Sequence, residues 1–177
     1  MTTDARPATT VRRPPSPGQL RLLRLFHALM SGAFLTAYLT GGEDAYGIHV
    51  VAGYAVLGAL GFRLLMALAA PRGSVLRLPR PSLSALAAWL GRLPFAPSKT
   101  LAARSPLHGF VGVAVLAGTA LAASSGAIAD YLPRVEDLHE ALGELALFLA
   151  LFHGALVFLL AGLKRAVRPS HPEIVTP

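Results

Sequence analysis

The sequence predicts an all-α fold, a four-helix transmembrane bundle, and three observations predict it. The 177-residue chain is 54% hydrophobic and only 14% charged, against about 25% charged in soluble domains. Four stretches are each apolar for the roughly 20 residues that a helix needs to cross a bilayer core of about 30 Å. Of the sixteen basic residues, fifteen fall with the two termini and the one long connection, as the topology of an even number of spans requires.

Residues 1–18 are rich in proline and are expected to be disordered. The membrane domain is then expected to occupy 19–166. Its first span runs from about Leu20 to Thr40, with Arg21 and Arg24 at its start, where they can snorkel to the interface. The pair Arg12-Arg13 invites a secretory-signal reading. No small-residue cleavage site follows the apolar run, and that run exceeds the usual 7–15 residues of such signals, so the span is expected to be retained. Gly41-Gly-Glu-Asp44 makes a short turn into the second span, Ile48–Ala70, whose one charge is Arg63. Residues 71–106 form a proline-rich connection containing "SLSALAAWLGRL" (82–93), a short amphipathic segment with Trp89 expected to lie in the interface between helices 2 and 3. The third span is Leu107–Ala129, the Asp130-to-Asp137 stretch with Pro133 is the second short turn, and the fourth span is Leu138–Leu163. The tail, 167–177, is expected to be disordered.

The charges orient these spans. Five basic residues precede the first span's core, seven lie from Arg63 to Arg104, three from Lys164 to Arg168, and only Arg134 lies opposite, beside Glu43, Asp44, Asp130, Glu136 and Asp137. By the positive-inside rule both termini are cytoplasmic, in a multi-pass membrane protein. The net charge of +7 is thus a topology signal, and nucleic-acid binding is not expected. The absence of cysteine excludes disulfides, thiolate nucleophiles, iron–sulfur clusters and covalently attached c-type haem.

Six histidines remain to be explained: His27, His49, His108, His139, His153 and His171. His139 and His153 are fourteen residues apart, which places them within roughly 40° on one helix face and about 21 Å apart along the axis. Helix 1 runs outward, so His27 lies about 10 Å in from the cytoplasmic edge. Helices 2 and 4 run inward, so His49 and His139 lie at the outer face and His153 in the cytoplasmic half. Depth therefore pairs His27 with His153 and His49 with His139. Ionisable groups inside a bilayer are costly and tend to be functional, and imidazole is a common axial ligand of haem iron. A satisfied core histidine is the plain reading of any one of them taken alone. Gly53 and Gly143 each stand one turn beyond an outer histidine, where a flat ring beside a helix needs a missing side chain. Close helix packing is the other reading of such glycines, and His108-x-x-x-Gly112 repeats the spacing.

Taken together, "RLFHALMSGAFLTAYLTG", "HVVAGYAVLGALGFRLL" and "LHEALGELALFLALFH" resemble the bacterial cytochrome b561 superfamily, especially the branch of the nickel–iron hydrogenase cytochrome b subunit, over most of residues 21–160. The resemblance implies four helices around two haem b groups. Their ligands would be His27 with His153 on the cytoplasmic side and His49 with His139 on the periplasmic side. The chain departs from family habit at Ala28, where tryptophan is frequent, and at "ARSPLHG" (103–109), the entry to helix 3, where the histidine has moved. Arg24 and Arg63 are candidates for neutralising haem propionates, with snorkelling as the alternative. Tyr54 is placed to pack on the outer haem or to join the aromatic belt. His108 reads as interfacial, with a third-ligand role and a proton-relay or quinone-site role as alternatives. His171, in the tail, carries no expected role.

The function implied is a membrane electron carrier between the quinone pool and a redox protein on the periplasmic side, its haems stacked as a wire across the bilayer. Within the superfamily the alternative is a direct oxidoreductase of the superoxide oxidase or ferric reductase type. From other classes come a haem-free metal or proton pathway and a structural anchor for a peripheral enzyme. The sequence is compatible with a homodimer.

Overall fold

A computed structural model of the chain describes residues 14–92 and 105–166. The expected disordered stretches 1–13 and 167–177, with Arg12, Arg13 and His171, lie outside the described residues. The described chain is helical, with no strand among the described residues, and four of its helices are long and apolar enough to cross a membrane. The all-α expectation holds, and the chain is a multi-pass membrane protein. It divides into two units, residues 1–78 and 79–177.

The first unit is a helical hairpin of α1 (Pro17–Leu39) and α2 (Tyr46–Ala69), joined by a 3-10 turn at Glu43–Ala45. The helix α1 begins three residues before the predicted Leu20, so Pro17 and Gly18 leave the segment expected to be disordered. The cause is local. Ser16 Oγ accepts from the Gln19 amide while Gln19 Oε1 accepts from the Ser16 amide, a capping box that satisfies two otherwise orphaned donors, with proline at the first helical position. On α2 the buried residues are Ala52, Val56, Ala59, Arg63, Met66 and Ala67, a 3–4 spacing that makes one stripe facing α1. Leu64, Leu65 and Leu68 lie off that stripe and are exposed, as lipid-facing residues are.

Beyond α2 the chain folds back over the hairpin's open end. Ser74 donates its amide to Pro71 O across a turn in which Gly73 takes φ +88°, a conformation open to glycine at little cost. Gln19 Nε2 donates to Ser74 Oγ, and Arg77 Nε donates to Ala70 O and Pro71 O.

The second unit holds α3 (Leu83–Leu90), the short segment expected to be interfacial, then α4 (Leu107–Ala129), a 3-10 turn at Pro133–Val135, and α5 (Glu136–Ala166). Ser82 Oγ caps α3 by accepting from the Ala85 amide, and Leu83 and Leu90 are exposed on it. The helices α4 and α5 form the second hairpin. Its tightest point is Gly118 against Ala146, where a Cβ on the glycine would lie 3.9 Å from Ala146 Cα and 2.8 Å from Leu149 Cδ1. Small residues at such a point let two backbones approach, which is the main source of helix adhesion where lipid is as apolar as leucine. The acidic first turn of α5, Glu136 and Asp137, complements the positive end of its dipole.

Candidate functional site

His49 and His139 each occupy the fourth position of the helix that follows a hairpin turn, and each is tied back to the helix before that turn. His49 Nδ1 lies 2.7 Å from Ala37 O, and His139 Nδ1 lies 3.0 Å from Ala122 O. A carbonyl can only accept, so Nδ1 carries a proton, and of the two neutral tautomers the geometry selects the one whose lone pair is on Nε2. Ala37 is in the last turn of α1, beyond the regular helix ladder, and its carbonyl accepts from the Thr40 amide at 3.3 Å as well as from His49, so His49 shares in closing that helix end. Ala122 lies further from the end of α4, and its carbonyl takes a second donor, Ser125 Oγ at 2.8 Å. Ser125 Oγ in turn stands 3.3 Å from His139 Nδ1.

His27 follows the same rule by a shorter route. Its Nδ1 is 2.7 Å from Leu23 O, one turn back on its own helix, which again leaves the lone pair on Nε2. The ring is exposed on α1 and meets the buried Phe26 edge-on at 5.4 Å between centroids. His153 is half-buried on α5. One uninterrupted helix carries both His139 and His153, and with the fully buried Ala146 between them they mark a single stripe of 3–4 spacing. The geometry read from the sequence for these two residues therefore holds.

The glycines one turn beyond the outer histidines are not packing contacts of their own hairpins. A Cβ built on Gly53 or on Gly143 meets nothing within 4 Å, which leaves a flat face beside each ring. Tyr54 is exposed. Arg24 is exposed on α1, where a guanidinium remains free to meet an anionic group. Arg63 is placed differently. It is 7% exposed, donates from Nη1 to Leu76 O at 2.6 Å and from Nη2 to Arg77 O at 3.5 Å, and lies 5.9 Å from the Phe26 ring centroid. Its charge holds the returning strap of residues 71–78 rather than reaching past the end of the hairpin. His108 is exposed in the first turn of α4.

The hairpins divide the candidate ligands evenly, His27 and His49 in the first, His139 and His153 in the second. Among the described residues no three histidine, aspartate or glutamate side chains converge as a cation site. Sequence reasoning missed the groups that orient the rings of His49 and His139: the carbonyls of Ala37 and Ala122, the Ser125 hydroxyl, and the space left by the missing side chain of Gly126. A signal was there to find, since "AYLTG" precedes His49 and "AASSG" precedes His139.

Compared with known protein families, curated proteins and solved structures, the chain has no match. The cytochrome resemblance therefore rests on the residues of three helices alone.

Proposed function

We propose that the protein is an integral membrane b-type di-haem cytochrome that carries electrons across a bacterial inner membrane. The observation that carries this reading is the state of the rings. Three of the four candidate ligands commit the Nδ1 proton to a backbone carbonyl, as iron- and zinc-ligating histidines do to fix tautomer and orientation. The fit extends to Gly53 and Gly143, whose open faces would admit a planar ring beside each outer histidine.

Haem b, when bound, supplies a one-electron iron couple whose potential the protein sets by burial and by hydrogen bonds to the ligands. His27 and His153 would hold the cytoplasmic-side group, and His49 and His139 the periplasmic-side group. Backbone carbonyls hold the imidazoles of His27, His49 and His139 in place, so little ordering would remain for binding to accomplish. Arg24 is the basic group best placed to meet a propionate, because Arg63 is engaged with the strap. With both termini on the cytoplasmic side, the acidic outer turns at Glu43–Asp44 and Asp130–Asp137 face the periplasm and would steer a basic redox protein. The quinone pool is the electron source or sink within the bilayer, and a homodimer is compatible with this arrangement. A haem-free cation pathway would need three or more converging donors, and that is the weaker reading.

The test is a reduced-minus-oxidised spectrum of the purified protein with pyridine-haem quantification. About two b-type haems per chain is the expected result. None, after expression with adequate haem supply, would overturn the reading.

A further inference from the structure

The two hairpins repeat one local arrangement. In the first, Ala37, Thr40 and Gly41 end α1, and His49 and Gly53 follow the turn; in the second, Ala122, Ser125 and Gly126 are followed by His139 and Gly143. The spacing within each part is identical, and the histidine binds the first residue's carbonyl in both. A phenylalanine then stands thirteen positions after each histidine, at Phe62 and Phe152. The connecting turns differ in length, from Gly41 to His49 in one and from Gly126 to His139 in the other. The common geometry is therefore not a by-product of one loop. We propose that Ala-x-x-[Ser/Thr]-Gly, turn, His-x-x-x-Gly is one histidine-holding unit built twice, in which the hydroxyl residue and the first glycine are positioning residues.

The inference rests on the reading of His49 and His139 as ligands, and it assigns work to residues that touch no cofactor. The glycine makes room for the ring. A Cβ on Gly126 would lie 2.8 Å from His139 Cε1 and 3.2 Å from each ring nitrogen. Those atoms are the end of a movable side chain, so alanine there displaces the ring and leaves the helices in place; alanine is in fact the better helix former. Around Gly41 the same atom would meet His49 Nδ1 at 3.8 Å, an ordinary contact. The unit is thus tight in the second hairpin and slack in the first.

The hydroxyl sets how firmly the ring's proton is held. Ser125 is buried, and its Oγ gives its proton to the carbonyl that His139 also uses. Two donors on one carbonyl each bind more weakly than one. Ala37 O is shared too, with the Thr40 amide at 3.3 Å and Thr40 Oγ1 at 3.4 Å, but both are longer than the 2.8 Å bond from Ser125 Oγ to Ala122 O, and His49 has the shorter bond of the two histidines, 2.7 Å against 3.0 Å. A ligand imidazole whose Nδ1–H is held more firmly is the stronger electron donor to a metal. Ser125 Oγ, with its own proton on Ala122 O, also stands 3.3 Å from His139 Nδ1 as a second acceptor, so Ser125 is the residue that sets how firmly the His139 proton is held.

Two measurements on the full-length protein test this. In haem-free protein labelled with 15N-histidine, His49 and His139 should both show the Nδ1-protonated tautomer. Ser125→Ala should move the His139 resonances and leave those of His49 unchanged, while Ser125→Thr should restore them. In the haem-loaded protein, Gly126→Ala should lose one of two haems with helicity and monodispersity retained, Gly41→Ala should keep both, and Ser125→Ala should shift the midpoint potential of one haem only. An Nε2-protonated His139, or a Gly126→Ala protein with both haems and unmoved His139 signals, would overturn the proposal. Wild-type protein without haem would instead overturn the di-haem reading, and the tautomer measurement would still decide the holding unit. Should Gly126→Ala fail to fold, the Ser125 pair decides alone.

Discussion

Arg63 is the only charged side chain buried among the described residues, and replacing it with methionine isolates what its charge does. Methionine keeps the unbranched stem and loses every donor. The bond from Nη1 to Leu76 O is short at 2.6 Å, and a hydrogen bond from a charged group contributes about 1.5–3 kcal/mol. The 3.5 Å approach to Arg77 O is at the limit of a hydrogen bond and adds nothing. The Phe26 ring at 5.9 Å adds about 0.5 kcal/mol. Release of a desolvated charge offsets roughly 1 kcal/mol, leaving a net loss of about 2 kcal/mol in the strap's hold on the hairpin. At about 1.4 kcal/mol per tenfold, the open population of residues 71–78 rises about thirtyfold. Trypsin reads this directly, because Arg72 and Arg77 lie in the strap, and cleavage follows the open population when reclosing is fast. The rate at these sites should be taken relative to cleavage at the exposed Arg134, which the substitution does not touch. A relative rate within about threefold of wild type would refute the assignment of Arg63 to the strap.

Other outcomes follow from the same contacts. His49→Ala or His139→Ala should each remove one of two haems, as should His27→Ala or His153→Ala, by pyridine-haem quantification; a variant that retains both excludes that residue as a ligand. Ala146→Leu places a branched side chain against Gly118, where Ala146 is 0% exposed, and should cost about 1–3 kcal/mol in unfolding by SDS titration, whereas Leu145→Ala on the exposed side should cost little. Trp89, the single tryptophan, should be quenched by lipids brominated near the headgroup more than by lipids brominated at the chain end; the reverse order would remove α3 from the interface.

The readable part of this protein is the part set by local patterns. The four spans follow from runs of apolar residues, and each predicted boundary falls within a few residues of a helix end. Where α1 departs, starting at Pro17, the capping residues Ser16 and Gln19 were themselves in view, and the proline-rich composition before them masked the signal. Helical periodicity likewise placed His139 and His153 on one face, because both lie on a single unbroken helix.

Contacts across a turn or between helices were not readable in this way. Arg63 reads as a snorkelling or propionate-facing residue from its depth alone; the strap that claims it lies thirteen residues on and is shaped by Gly73 and Ser74. The same holds for the rings of His49 and His139. Their positions along the membrane follow from composition and count, while their protonated nitrogen and ring plane depend on carbonyls twelve and seventeen residues earlier. Hydropathy and helical period are sums over neighbours in sequence, so the chain alone determines where its helices run and where along each helix a histidine falls. A hydrogen bond between helices depends on how two backbones approach, and only the packed hairpin decides that.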